Sequence, residues 1–97
     1  MARAALAKGQ RVFWAADSQT AIYYGVLREQ DRDAGGPQIL LYLAPDARQN
    51  LPTADLVVLS KPDLYDFDGF IRDFVRRQEY LAAGKFQSFQ LWRKPGS

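Results

Sequence analysis

The amino-acid sequence predicts an α+β fold that is mainly β: a short antiparallel sheet, then one amphipathic helix and a final strand. Short runs of β-branched and aromatic residues, separated by polar turns and by Gly- and Pro-containing segments, are typical of strands. Farther along the chain, apolar residues recur at helical spacing. The 97 residues match the usual size of one domain, so we expect a single domain over 1–97.

Four strands are predicted before the helix, near residues 11–16, 21–28, 38–44 and 56–60. The first two flank a polar turn and are expected to pair as a hairpin. Gly25, inside the second strand, predicts a bend or a bulge. The third and fourth strands contain unbroken apolar runs, which are typical of strands buried on both faces.

The helix is predicted over about 66–83. Its apolar residues share one face: Phe67, Phe70, Ile71, Phe74, Val75 and Leu81. Asp66 or Asp63 is expected to cap the N-terminus, where a carboxylate also suits the helix dipole. Gly84 stands where a left-handed C-terminal cap is expected.

The chain is predicted to end with a strand at about 87–93, because apolar and polar residues alternate there in part. This strand could join the sheet as an edge. Residues 1–8 and 94–97 are expected to be flexible tails.

The composition argues against several classes of function. The chain has no Cys and no His, which removes disulfides, most nucleophilic triads and ordinary zinc sites. No signal-peptide pattern and no run of about 20 apolar residues is present, so we expect a cytoplasmic protein without a membrane partner. No catalytic constellation stands out, and the acids at 63–68 are explained by helix capping. The sequence therefore predicts a non-enzymatic protein without cofactor or metal.

Aromatic residues crowd the first three predicted strands: Phe13, Trp14, Tyr23, Tyr24 and Tyr42. Because side chains alternate along a strand, adjacent aromatic residues point to opposite sides of the sheet. One set is expected to fill the core. The other set either forms a surface that could stack bases or hold a cation, or lies under the helix. The sequence leaves both arrangements of this second set open.

Basic residues form a second candidate surface on the helix and the last strand: Arg72, Arg76, Arg77, Arg93 and Lys94. The net charge is only +2, but the middle of the chain is acidic and both ends are basic. Arginines at this spacing could bind phosphates or an acidic partner. The carboxylates of Asp73 and Glu79 reduce the positive charge of this surface, and ion pairs within the helix explain part of the arrangement of the arginines.

The segment from Lys8 to Ser60 resembles a Tudor or related SH3-like small β-barrel domain. The resemblance rests on four pieces: Gly-Gln-Arg-Val-Phe-Trp at 9–14, Tyr-Tyr-Gly-Val-Leu at 23–27, Leu-Tyr-Leu at 41–43 and Asp-Leu-Val-Val-Leu at 55–59. It implies a small antiparallel barrel, with the helix and the final strand outside the likeness. It also implies a recognition module for modified side chains, peptides or nucleic acid. A ligand cage in such a module would use Trp14, Tyr23 or Tyr24, and Tyr42 as walls, with Asp17 as the charge partner.

The function predicted from these features is a binding or adaptor module that recognises a protein or peptide partner through an aromatic-rich barrel surface. The alternative is an accessory protein that binds DNA or RNA through the basic helix face and the C-terminal strand. A homodimer is also compatible with the aromatic content and with an edge strand after the helix.

Overall fold

Five short strands form one mixed sheet in the computed structural model, which describes residues 6–31, 38–42, 47–85 and 89–95. In chain order they are β1 (Val12–Ala15), β2 (Ile39–Leu41), β3 (Leu56–Leu59), β4 (Leu81–Lys85) and β5 (Gln90–Arg93). Across the sheet the order is β2-β1-β3-β5-β4. β1 runs parallel to both β2 and β3, whereas β5 is antiparallel to β3 and β4. The sheet is open, with β2 and β4 at its edges.

Short helices connect the strands: α1 (Ser18–Tyr23), α2 (Ala47–Asn50), α3 (Pro62–Tyr65) and α4 (Phe70–Arg77). Two 3₁₀ turns, Glu29–Asp31 and Leu51–Thr53, complete the connections in the described ranges. The result is a small compact α+β domain.

Both faces of the sheet are covered, so the core has two parts. The α1 face contains Val12, Trp14, Ala16, Ala21, Val26, Leu27, Ile39, Leu41, Leu56, Val58 and Leu91. The α4 face contains Phe13, Ala15, Ala47, Leu51, Ala54, Val57, Leu59, Ile71, Phe74, Val75 and Tyr80. Every residue of β1 and β3 is buried, because alternate side chains enter opposite parts of the core. The predicted burial of the strand at 56–60 on both faces is confirmed.

The strand predicted at 21–28 is wrong, because residues 18–23 form α1. The carboxylate of Asp17 accepts a hydrogen bond from the backbone N–H of Thr20 at 3.1 Å, which caps the first turn. Gly25 has φ +74° and directly follows the C-cap residue Tyr24. Its N–H donates to the carbonyl of Ile22 at 3.0 Å, as in a Schellman motif. Gly25 therefore ends a helix and does not bend a strand.

The helix predicted over 66–83 is shorter, because α4 covers only 70–77. Asp66 is buried, and its carboxylate accepts hydrogen bonds from the N–H groups of Ile71 at 2.7 Å and Arg72 at 3.0 Å. The helix therefore begins after this carboxylate. The side chain of Asp63, the other predicted cap, lies outside the described part.

α4 ends at a Schellman motif that lacks a glycine. Glu79 has φ +58°, and its N–H donates to the carbonyl of Arg76 at 3.2 Å. The N–H of Tyr80 donates to the carbonyl of Val75 at 2.8 Å. The chain then enters β4, so Gly84 lies in a strand and does not cap the helix.

The predicted antiparallel pairing is wrong for the first three strands, and a closed barrel is not confirmed. The connection that contains α1 returns the chain to the end of the sheet at which β1 begins, so β2 runs parallel to β1. The strand predictions near 11–16, 38–44, 56–60 and 87–93 each contain an observed strand. Residues 43–44 and 87–88 lie outside the described ranges, as do 1–5 and 96–97 of the predicted tails.

Candidate functional site

Four aromatic rings form a row on the α1 face that runs from the core to the surface. The ring centroids of Trp14 and Phe89 are 5.7 Å apart, and Phe89 lies 5.8 Å from Tyr24. Tyr24 meets Tyr23 edge to face at 5.1 Å. Trp14 is only 3 % exposed, whereas Tyr23 is 80 % exposed. We call these four residues the aromatic row.

Asp17 supports the inner end of this row. Its backbone carbonyl accepts the indole N–H of Trp14 at 3.0 Å. Its carboxylate is engaged by Thr20, with Oδ1 2.5 Å from the hydroxyl Oγ1. Hydrogen bonds from Thr20 hold the pKa of Asp17 below its usual value, and the charge of Lys61 adds to this effect. Asp17 thus caps α1 and fixes Trp14.

Tyr42 lies on the opposite side of the sheet from the aromatic row. It is half-buried against the α4-face core, where its ring meets that of Tyr65 edge to face at 5.0 Å. The four predicted cage walls therefore do not converge on one concavity. Trp14, Tyr23 and Tyr24 come together on the α1 face, joined by Phe89, which the sequence did not single out.

The carboxyl ends of the parallel strands meet at one edge of the sheet. Asp17 follows β1, Tyr42 follows β2 and Lys61 follows β3. In the strand order, β2 lies on one side of β1, whereas the strands that follow β3 in the chain lie on the opposite side of β3. A topological switch point therefore lies between β1 and β3. In open α/β sheets, ligands bind outside the strands at such a point.

At this edge Lys61 is exposed and adopts φ +48°, a left-handed conformation that is uncommon for a residue with a side chain. Tyr65 lies nearby, and its pKa is raised by burial and further by the charge of Asp17. Among the described residues, this edge carries the ammonium group of Lys61 and the phenols of Tyr42 and Tyr65, and the carboxylate of Asp17 caps α1.

The predicted basic surface is divided by ion pairs. Nε of Arg72 lies 3.1 Å from the buried carboxylate of Asp66. Arg76 and Arg77 share Asp73, at 2.8 and 3.0 Å. These guanidinium groups lower the pKa of Asp73, with the hydrogen bond from Arg76 as the largest cause. The positive charge of α4 is therefore largely compensated by local carboxylates.

Arg93 and Lys94 do not extend the α4 surface. Leu91 belongs to the α1 face, and Arg93 is two residues farther along the same strand, so it projects to that side too. Nζ of Lys94 lies 3.5 Å from the carbonyl oxygen of Pro52. The five predicted basic residues thus belong to at least two separate surfaces.

A groove of about 950 Å³ lies between α4 and β5 on the α4 face. Its walls combine two carboxylates and two guanidinium groups with apolar side chains: Asp68, Asp73, Arg72, Arg76, Phe70, Val75 and Trp92. Nε1 of Trp92 is buried and has no hydrogen-bond acceptor among the described residues. Such an indole N–H usually has a partner when buried. We call this feature the α4–β5 groove; the sequence gives no periodic signal for it, because its two walls lie far apart along the chain.

The chain matches no protein-family profile, no curated protein and no solved structure. The resemblance to Tudor-like and SH3-like domains therefore stays a prediction. Among the helices in the described part of the chain, none has the length and apolar character needed to span a bilayer.

Proposed function

We propose that this domain is a non-enzymatic binding or adaptor module whose partner is a protein or peptide that contacts the aromatic row. The observation that carries the proposal is the exposure of Tyr23, which is 80 % accessible at the end of a row of rings anchored in the core. Exposed tyrosines on a rigid base are frequent contact residues in protein interfaces.

The support beneath Tyr23 and Tyr24 favours binding with little reorganisation. Trp14 is fixed by its hydrogen bond to the carbonyl of Asp17, and Gly25 ends the helix immediately after the two tyrosines. A tyrosine that is already held in place loses less side-chain entropy on binding than a mobile one. The partner surface complementary to this row is apolar or aromatic, with acceptors for the phenol hydroxyls.

The alternative function is binding of DNA or RNA through the basic residues of α4. Arg76 favours it, because its side chain is 81 % exposed. The pairing of Arg76 and Arg77 with Asp73 and the position of Arg93 on the other side of the sheet argue against it, since phosphate binding requires uncompensated positive charge along one surface.

The proposal is tested by selecting random peptides on the immobilised domain and measuring their affinity in solution by fluorescence anisotropy. The variant Tyr23→Ser/Tyr24→Ser is expected to weaken binding at least tenfold, as for residues at an interface centre. Phe67→Ser is the matched control, because Phe67 is also 80 % exposed but lies between α3 and α4. Equal losses for both variants would contradict the proposal.

The same protein preparation distinguishes peptide binding from nucleic-acid binding and from self-association. Mixed-sequence DNA and RNA oligonucleotides, titrated at low and at physiological salt, would reveal phosphate contacts as a steep loss of affinity with salt. Light scattering at increasing concentration reports a homodimer. If the Tyr23→Ser/Tyr24→Ser variant abolishes a dimer, the partner at the aromatic row is a second copy of this chain.

A further inference from the structure

We propose that the carboxyl edge of the parallel strands, at the switch point between β1 and β3, binds a free α-amino acid with an apolar side chain, in its zwitterionic form. Four residues make up the site, and we call them the edge cluster: Asp17, Lys61, Tyr42 and Tyr65. This site is separate from the aromatic row, because the exposed tyrosines of that row lie at the opposite end of α1.

The two chain segments that leave β1 and β3 diverge at this edge. The segment after β1 forms α1, whose Ala21 is buried on one face of the sheet. The segment after β3 continues through α3 to α4, whose Ile71 is buried on the other face. In open sheets with parallel strands, the space outside two strand ends with diverging connections is the usual position of a small ligand.

The backbone at Lys61 is fixed in an unfavourable conformation. Its carbonyl accepts the N–H groups of Leu64 at 2.8 Å and Tyr65 at 3.0 Å, and its φ is +48°. Glycine or asparagine adopts this left-handed conformation more readily than lysine does. Strained positions of this kind cluster at ligand sites. The conformation is therefore explained if the ammonium group of this residue contacts a ligand.

Two opposite charges face each other across the edge without contact. The pKa of Asp17 is lowered mainly by the hydrogen bond from Thr20 and further by the charge of Lys61, so the lysine is within electrostatic reach. In the described part of the chain, however, Lys61 takes part in no ion pair. The carboxylate of Asp17 accepts two hydrogen bonds from Thr20 and has acceptor positions left.

This arrangement of charges is complementary to a zwitterion. The ammonium group of an amino acid can donate to Asp17 while its carboxylate accepts from Lys61, and both contacts are charge-assisted hydrogen bonds. A simple anion would be repelled by Asp17, and a simple cation by Lys61. A ligand with one charge therefore gains less at this edge than a ligand with both.

Two tyrosine rings supply an apolar wall beside the charges. Tyr42 and Tyr65 are both half-buried and meet edge to face, with ring centroids 5.0 Å apart. Burial raises the pKa of Tyr65, and the charge of Asp17 raises it further, so this phenol also lies within reach of the carboxylate. The rings favour an amino acid with an apolar side chain, because an aromatic side chain offers a large apolar surface and a polar tip.

The test is an NMR titration of the backbone amide signals with L-leucine and L-phenylalanine, up to millimolar concentrations. The signals of Asp17, Lys61 and Tyr65 are expected to shift, whereas that of Tyr23 is not. Two control compounds each lack one charge: N-acetyl-L-phenylalanine and L-phenylalaninamide. Each is expected to bind at least tenfold more weakly than L-phenylalanine, as for loss of a charged hydrogen bond.

A lysine variant separates a binding role from a structural one. Lys61→Asn removes the ammonium group but suits the left-handed backbone, so we expect at least tenfold weaker binding of L-phenylalanine with unchanged or higher thermal stability. Lys94→Gln is the matched control, because Lys94 follows β5 at the opposite end of the sheet, with Nζ 3.5 Å from the carbonyl oxygen of Pro52. Asp17→Asn retains a residue that can cap α1 and removes only the charge, and should also weaken binding.

Three results would overturn the proposal: unmoved signals of the edge cluster at the highest concentration of both amino acids, equal binding of the two control compounds, or unchanged binding by Lys61→Asn. Stronger binding of N-acetyl-L-phenylalanine than of L-phenylalanine would likewise replace the amino-acid site by an anion site. None of these results bears on peptide binding at the aromatic row, which is tested with different variants and a different ligand.

Discussion

The phenol of Tyr80 donates a hydrogen bond of 2.7 Å to the main-chain carbonyl of Ala54, 26 residues earlier in the chain. Both residues are buried. Tyr80 directly follows the left-handed residue that ends α4, and Ala54 lies just before the start of β3. This single bond therefore ties the end of the helix to the entrance of a central strand.

Tyr80→Phe is expected to lower the free energy of unfolding by about 1–2 kcal/mol, because it leaves the buried carbonyl of Ala54 without its donor while the ring is kept. Urea denaturation followed by circular dichroism measures the change. Tyr23→Phe removes a hydroxyl from an exposed ring and serves as the control, with little expected change. Equal stability of Tyr80→Phe and the unmodified chain would show that the hydrogen bond contributes nothing net.

The same residue predicts a loss of stability at alkaline pH. Burial, and to a smaller extent the charge of Asp55, raises the pKa of Tyr80 above its ordinary value of 10.0. Above pH 10 the unfolded chain loses this proton while the folded chain retains it, so the stability that Tyr80 contributes falls as pH rises toward the folded pKa. Unfolding free energies measured from pH 8 to 11 should fall more steeply for the unmodified chain than for Tyr80→Phe. Parallel curves would contradict this linkage.

Substitution of Glu79 is expected to raise the stability of the fold. Its φ of +58° is left-handed, a conformation that favours glycine at the end of a helix. Glu79→Gly is therefore expected to raise the free energy of unfolding by about 0.5–1 kcal/mol. Glu79→Ala removes the same carboxylate but retains a Cβ, so it separates the conformational effect from the charge. A gain with Ala equal to that with Gly would assign the effect to charge.

The boundaries of α4 show why its ends could not be read from periodicity. Within α4 the apolar spacing identifies the buried face, since Ile71, Phe74 and Val75 pack in the core. Phe67 and Leu81, which were predicted to share this face, lie outside α4 and are exposed. The start depends on the carboxylate of Asp66 reaching forward to the N–H of Ile71, and the end depends on a left-handed Glu79 where no glycine marks the stop. Neither event changes the apolar pattern.

The segment around Tyr23 shows how propensity misled the prediction of the second strand. Ile22, Tyr23 and Tyr24 all favour strands, yet the residues before them determine the structure. Asp17 and Thr20 have the spacing of a helix cap, and this signal identifies α1. The parallel pairing of β1 with β2 follows from that helix, so one wrongly assigned segment made the predicted topology wrong.

The candidate sites could be predicted only in part from the sequence, because they join residues that lie far apart in the chain. Strand alternation predicts Tyr23 and Tyr24 on opposite sides of a strand and leaves open whether the outer aromatic set is exposed or covered. In the structure both residues lie at the end of α1 and both are exposed. The ring that joins them to Trp14 is Phe89, more than sixty residues away in the chain. The α4–β5 groove likewise depends on the register of β5 against β3, which places Trp92 opposite Val57 beneath α4. Long-range register leaves no trace in a local pattern.

The contact between Asp66 and Arg72 gives the largest expected effect of a single substitution. Asp66→Asn keeps one acceptor but places an amide donor against the N–H and Nε donors of Arg72, now 3.0 and 3.1 Å from Oδ2. Because this position is only 2 % exposed, water cannot replace the lost acceptor, and we expect a loss of about 2–4 kcal/mol in the free energy of unfolding. Thermal and urea denaturation measure it.

Asp68→Asn is the matched control for this substitution, since Asp68 also pairs with an arginine and also bonds the start of α4, at 3.2 Å to the N–H of Phe70. Asp68 is exposed, so water can replace its contacts and the expected loss is much smaller. If the two variants lose equal stability, burial of the Asp66 carboxylate is not what holds the first turn of α4. A loss confined to Asp66→Asn, accompanied by faster amide exchange at Ile71 and Arg72, would assign the start of the helix to this one carboxylate.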